Sequence, residues 1–438
     1  LIINADKLLN NLDTWKALKR CLKTESIITE NSKSSVEVVP MITLKPEDIP
    51  LNIKVILIGS DFAYSLFSSS DPEFKKFFKI KAEFDSQIEN EGKNIANIIG
   101  FISNYVRKNN MFNVTKEGII ELLTYSCRLA GNKRYFTARM SEMLEVLDIA
   151  YVLAKKEKAV IIDRYHMKSA VLEIQNMHGL YRKKTLEMYK SKKYIISLNG
   201  LKVGQINGLS VIDYGDWVIG QQHKITVTTF AGKKGIVNIE REVEMSGSIH
   251  SKGIMILSGY IGELLAQNTP ISFNASIVFE QLYSGIEGDS ASAAELIALI
   301  SSLSGIPIKQ SMAITGSVNQ KGEIQPIGGV NEKIEGYFDI CSIWGLDGSH
   351  GVIIPYTNID DLVLKDEVIE AVDKELFHIY AVSSIEDCME LLYDTSFKSE
   401  EYGEIMETVK QHILVKLQKY NFILNAQTDT NGNIFREK

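Results

Sequence analysis

The chain has 438 residues, too many for one hydrophobic core, so two or three domains are expected. Apolar residues make up 45% and charged residues 24%, the balance of a soluble globular protein, and the net charge of −7 argues against a broad phosphate-tracking surface. The cysteines (Cys21, Cys127, Cys341 and Cys388) are far apart without CxxC spacing, which fits free thiols in a reducing cytosol better than disulfides or a zinc site. No apolar run has the length to cross a bilayer and no signal peptide opens the chain, so a cytoplasmic protein is expected. Leu1 leads directly into an apolar strand, which suggests a piece of something longer.

Residues 1–85 read as part of an α/β layer. Leu1-Ile2-Ile3 is a short strand, Leu8 to Leu22 has helical periodicity, and the strand Lys54-Val55-Ile56-Leu57-Ile58 stops at Gly59-Ser60. Residues 86–187 read as a bundle of four or five helices, on the spacing of Ile95, Ile98, Ile99, Ile102 and Val106 and of two similar sets after it. Thr115 with Gly118 marks the start of the second helix. The basic run Arg182, Lys183, Lys184, Lys190, Lys192 and Lys193 reads as a solvated helix end.

Strands return in residues 188–396, at Tyr194–Leu198, Val203–Val211, Lys224–Phe230, Ile236–Ile239, Ile271–Phe279, 311–315, 323–327 and Gly351–Pro355. Helices fall at 253–266, Ala291–Leu303 and Asn331–Trp344, which makes this a mixed α+β domain. The segment 397–438 is a helical tail, with Ile405, Val409, Ile413 and Leu417 on one side for packing or assembly.

Chemistry concentrates in two stretches. In Glu287-Gly288-Asp289-Ser290-Ala291-Ser292-Ala293-Ala294-Glu295 a serine stands at a helix start, where free N–H groups and the positive dipole end suit an oxyanion. Ser292-x-x-Glu295 reads as a capping box, but composition alone does not choose between Ser290 and Ser292 as nucleophile. In Pro326-Ile327-Gly328-Gly329-Val330-Asn331-Glu332-Lys333 the lysine falls in the first turn of a helix. The dipole and burial there both disfavour the ammonium form, and a neutral amine is what a Ser–Lys dyad requires. Spacing leaves a Ser–His–Asp triad through His250 open, without a supporting pattern, and no metal-ligand spacing occurs.

These residues resemble the Lon protease family, in its B-type or Lon-like branch. The resemblance adds Ala313-Ile314-Thr315-Gly316-Ser317, Gly322-Glu323-Ile324-Gln325 and Gly351-Val352-Ile353-Ile354-Pro355 with Asn358, and runs from about Gly200 to Leu392. It implies that Ser290 is the nucleophile, Lys333 the base and Thr315 the hydroxyl that orients the lysine. It also implies acidic positions at Glu287 and Asp289, and a nucleotide-sensing arginine at Arg139. On the same resemblance residues 1–85 are a partial AAA+ α/β core, 86–187 an AAA+ lid, 188–396 the peptidase domain and 397–438 its tail.

The departures are as informative. No G-x-x-x-x-G-K-[ST] occurs, and Gly232-Lys233-Lys234 lacks the hydroxyl residue and the upstream glycine. Leu1-Ile2-Ile3-Asn4-Ala5 resembles a Walker B strand with Asn4 and Ala5 in place of the carboxylates, so ATP hydrolysis by this chain is not expected. The resemblance therefore implies a serine endopeptidase that degrades unfolded polypeptide in a homohexameric chamber and needs no cofactor, metal, membrane or nucleic acid. The alternatives are an ATP-dependent unfoldase-protease whose ATPase half, with ATP and magnesium, lies upstream, and a binding or chaperone module with an idle dyad.

Overall fold

In the computed structural model of this chain, residues 1–27, 47–177, 179–215, 218–266, 271–393 and 405–433 are described, as backbone alone from 427 on. Two units divide it, 1–84 and 85–438. In the first unit Ile2–Asn4 pairs in parallel with Ile56–Ile58. The expected helix from Leu8 to Leu22 is two helices, Ala5–Leu9 and Leu12–Thr24. Asn10 and Asn11 interrupt it, and the Asn11 side chain accepts from Thr14 N to start the second. The core here is aromatic: Trp15 packs on Phe67, Phe74 and Phe78, and its indole N–H donates to Asp71 at 2.8 Å.

The second unit begins with the expected helical bundle, α1 (Gly92–Lys108), α2 (Lys116–Ala130), α3 (Met140–Lys156), α4 (Arg164–Met177) and α5 (Gly179–Lys190). Thr115 caps α2 by accepting from Gly118 N at 3.1 Å, and Gly131, at φ 71°, ends it. Ile102, Leu122, Leu147 and Met167 fill the bundle core. Position 187 falls inside α5, which continues into the next domain: Tyr189 is buried in its core and donates to Gln222 O at 2.9 Å.

The peptidase-like region is built on a seven-stranded sheet. Its strands are β1 (Gln205–Asp213), β2 (Val218–Ala231), β3 (Gly235–Asn238), β4 (Phe273–Phe279), β5 (Met312–Ile314), β6 (His350–Pro355) and β7 (Phe377–Val382). Their spatial order is β3-β4-β2-β1-β5-β6-β7, with β1–β2 and β2–β4 antiparallel and the β1-β5-β6-β7 half parallel. Alternation along the strands feeds two cores. Met312, Ile314 and Ile353 face one, while Ala313, Val352 and Ile354 face the other.

On the first face lie α6 (Ser248–Leu265), the fully buried α7 (Ser292–Ser304), α10 (Ile385–Leu392) and α11 (Ile405–Asn433). The second face carries α8 (Val330–Trp344), α9 (Asp366–Asp373) and Tyr189 of α5. The tail helix α11 is part of this core, since Ile405, Val409, Ile413 and Leu417 are all buried in it. The strand expected at 194–198 does not form. Side chains satisfy its backbone instead: Ile195 N donates to Gln281 and Asn207 Nδ2 to Ser197 O, at 2.7 and 2.9 Å.

Helix α8 reaches β2 at backbone distance. A methyl on Gly220 would lie 1.9 Å from the Glu332 carbonyl oxygen, and one on Gly336 would lie 2.5 Å from the Gly220 oxygen. Only glycine at 220 lets the helix sit this close. Gly220→Ala is therefore expected to lower folding stability by about 1–3 kcal/mol through overpacking, read as a lower urea midpoint at unchanged slope. An unchanged midpoint would mean that the helix can withdraw freely from the sheet.

Candidate active site

The serine loop is held by the segment that follows β5. Ser290 O accepts from Gly316 N at 2.8 Å and from Thr315 Oγ1 at 3.2 Å, and Ala293 N donates to Gly316 O at 3.1 Å. Asp289 accepts from Ser317 Oγ at 2.8 Å. Ser290 is half-buried, and its amide and that of Ala291 make no hydrogen bond among the described residues. Two N–H donors are thus free beside the serine at the start of α7, the donor type that stabilises a tetrahedral oxyanion.

Lys333 approaches from α8. Gly329, at φ 66°, forms the turn into that helix, and no side chain caps it. Lys333 is 2% exposed and its Nζ donates to Thr315 Oγ1 at 3.1 Å. The Thr315 hydroxyl spends its one proton on the Ser290 carbonyl and accepts from the lysine with a lone pair. One buried hydroxyl therefore ties the amine to the serine loop. No hydrogen bond joins Lys333 Nζ to Ser290 Oγ among the described residues. Burial pushes the lysine down from its usual 10.5 to about 8, against the carboxylates of Asp289 and Glu332, which favour its charged form.

Asp289 therefore acts on Lys333 as an opposing charge, in keeping with its place in the loop. Glu287 points elsewhere. Its Oε1 accepts from Ile249 N at 3.0 Å and caps the otherwise uncapped start of α6.

Ser292 is not the cap that the Ser292-x-x-Glu295 pattern suggests. It lies inside α7, 1% exposed, with its hydroxyl donating to Asp289 O at 2.8 Å and accepting from Val318 N at 3.1 Å. Glu295 is drawn away to His250, with Oε1 to Nε2 at 3.2 Å, and the other His250 nitrogen meets Ser246 at 2.9 Å. Burial disfavours the imidazolium, but Glu295, Glu240 and Glu287 outweigh it and hold the His250 pKa above its usual value. With both nitrogens so engaged His250 does not meet Ser290, and the triad reading has no geometry behind it. Sequence reasoning did not foresee this buried pair, because each partner looks ordinary until α6 and α7 cross.

Arg139 stands at the start of α3, more than half exposed and ion-paired with Glu142 at 2.7 Å. Asn4 caps the first helix by accepting from Lys7 N at 2.9 Å, and Ala5 is buried against the same small core. Of the basic run, Arg182 pairs with Asp339 of α8 and Lys184 with Glu187.

Comparison with known proteins agrees with this layout. Residues 201–394 match the Lon protease (S16) C-terminal proteolytic domain, 113–176 the archaeal LonB AAA+ ATPase LID domain, and 1–85 the LonB-like AAA domain. A Lon protease homolog of Escherichia coli is 31% identical over 425 residues, covering 94% of this chain and 70% of that protein. One from Haemophilus influenzae is 32% identical, covering 95% and 69%. The archaeal Lon protease of Thermococcus kodakarensis is 28% identical over 331 residues, 74% of this chain and 48% of its own length. With an AAA-type segment, a LonB-type lid and a Lon proteolytic domain in succession, the chain belongs to the Lon protease family.

Proposed function

We propose that this chain is a serine endopeptidase acting on unfolded polypeptide, with Ser290 as nucleophile and Lys333 as general base. The observation that carries the reading is the buried Lys333 amine, linked through Thr315 to the loop that presents Ser290. In acylation Ser290 Oγ attacks the scissile carbonyl carbon and its proton passes to Lys333 Nζ. The amides of Ser290 and Ala291 hold the oxyanion. As the tetrahedral intermediate collapses the C–N bond breaks, and Lys333 returns the proton to the leaving amine. Water, deprotonated by Lys333, then releases the acyl group and restores the serine. These steps need no cofactor or metal. Asp289 would hold Lys333 more protonated when the loop closes on it, with Glu287 keeping the neighbouring helix start in register.

On this reading the working form is a cytosolic homohexamer whose inner chamber keeps folded proteins from the centre, with neither membrane nor nucleic acid as partner. A second reading, ATP-driven unfolding coupled to the same cleavage, is favoured by the AAA and lid matches. It needs a phosphate cradle that this sequence lacks, so ATP and magnesium would act through residues outside it, with Arg139 as a sensor.

Ser290→Ala is expected to abolish hydrolysis of casein and of a short fluorogenic peptide while leaving the elution volume on size exclusion unchanged. Ser292→Ala should retain turnover, because its hydroxyl is already committed within the fold. The reverse pattern would assign the wrong serine, and a parent chain inert in all conditions would favour a binding module. ATP-indifferent peptide cleavage fits the simple peptidase, whereas cleavage of casein only with ATP in a longer chain fits the unfoldase.

The lysine gives a second, independent expectation. Its folded pKa lies below its unfolded one, so between about 8 and 10.5 the unfolded chain binds more protons and stability rises with pH. Lys333→Met should therefore remove turnover and also raise folding stability by on the order of 1–3 kcal/mol below pH 8, read as a higher urea midpoint. That gain should vanish above pH 10.5. A variant less stable than its parent at neutral pH would show that the amine is not buried at a cost.

A further inference from the structure

The end of lid helix α2 is fastened to the helix that carries Lys333. Arg128 Nη2 donates to Glu332 Oε1 at 2.8 Å and Glu335 Oε2 at 3.0 Å, and its Nη1 donates to Glu335 Oε1 at 2.5 Å and Val363 O at 2.7 Å. The contact is sheltered: the Arg128 side chain is 18% exposed and that of Glu335 6%. Two residues of the following turn extend it. Asn132 donates to Asp361 at 2.7 Å and Lys133 N to Asp360 O at 2.9 Å. The 358–363 turn in its turn grips the start of α8, since Asn331 donates to Asp361 O and accepts from Val363 N, at 2.7 and 2.8 Å. Lid and base-bearing helix thus share one hydrogen-bonded network with a bidentate arginine at its centre.

We propose that Arg128 is a positioning residue of the peptidase centre: by holding the Glu332 and Glu335 carboxylates it couples the seating of the lid to the readiness of Lys333 to accept a proton. The proposal rests on the reading of Lys333 as general base. Glu332 is the neighbour of Lys333 in sequence, and its charge favours the ammonium form. Arg128 opposes that charge while the lid is seated. When the lid withdraws, Glu332 loses its partner, Lys333 holds its proton more tightly, and less base is available at neutral pH.

The other charged groups around this point do not substitute for Arg128. Asp289, from the serine loop, faces Lys333 with the same sign as Glu332. Lys365 pairs with Glu335 Oε2 at 3.3 Å rather than with Glu332, and Arg182 of α5 is taken by Asp339. Asp360 and Asp361 of the turn are engaged by Lys133, Arg134, Asn132 and Asn358. From the sheet side Asn207, which is uncharged, meets Tyr337 of α8.

The test is kcat/KM of the full chain on a short fluorogenic peptide from pH 6 to 10.5, for the parent, Arg128→Ala, Glu332→Gln and the double variant. Arg128→Ala should move the acid limb up by about half a unit to one unit, with a ~3–10-fold loss at pH 7 that recovers near pH 10. Glu332→Gln alone should move the limb down, and in the double variant it should return the limb to the parent position or below. A loss that is uniform across pH, with the limb unmoved, would overturn the proposal and leave Arg128 as lid glue. If Arg128→Ala does not fold, Glu332→Gln decides: an unmoved limb overturns the proposal. Hydrolysis that survives Ser290→Ala would overturn the dyad reading and this proposal together, whereas Ser290-dependent hydrolysis with an unmoved limb overturns this proposal alone.

Discussion

A lysine amine held out of water is the constraint on which the rest of the structure turns. An ammonium with only one hydrogen-bond partner is costly to bury, and among the described residues Lys333 has the hydroxyl of Thr315 alone. The fold meets that cost with an amine that gives up its proton more readily, at about 8 instead of 10.5, and much of its detail follows. Gly220 and Gly336 let α8 lie against the sheet at backbone distance, with Gly220 against the backbone of Glu332 and Lys333. Gly329 turns the chain into α8 without a side-chain cap, so no cap competes for the first turn. Thr315 is fixed at the end of β5 by its own N–H to Ile353 O at 3.0 Å, which sets where the amine points.

The serine side is built to a complementary rule. Almost every polar group near the start of α7 is used: Ser292, Asp289, the Ser290 carbonyl and Glu295 all have partners. Among the described residues the Ser290 hydroxyl and the amides of Ser290 and Ala291 stay without a hydrogen bond beside it, and Glu295 Oε2 is buried without a partner below. Glu295 and His250, buried beneath the serine loop, hold α6 to α7, so the loop rests on a rigid floor.

The lid meets this centre through charge, with Val363 of the neighbouring turn packed against the lid core beside it. Arg128 meets two carboxylates one helical turn apart on α8, with Lys333 between them in sequence. Burial makes such a pairing geometrically demanding, since removal of either sign strands the other in a region of low dielectric. The division between lid and peptidase is correspondingly indistinct: α5 spans position 187, and Tyr189 already belongs to the peptidase core.

Much of this was legible in the sequence because it rests on local chemistry. The apolar periodicities of α1 to α3, the Thr115 cap, the β-branched runs of β1, β2 and β4, and the glycine turn before Lys333 each depend on neighbours within a few residues. The motif around Ser290 and the motif around Lys333 could be recognised. The tertiary structure decided what depends on distant partners. It made Ser292 an interior hydroxyl, because Val318 arrives from a hairpin that spacing does not reveal, and it sent Glu295 to His250 and Glu287 to the start of α6. It also broke the expected strand at 194–198, whose backbone is met by Gln281 and Asn207 instead of a ladder. The pairing of Arg128 with Glu332 and Glu335 joins residues 204 and 207 positions apart, a separation that no periodicity carries. Residue types and their short spacings set which elements form; which charges end up facing one another was settled only when those elements packed.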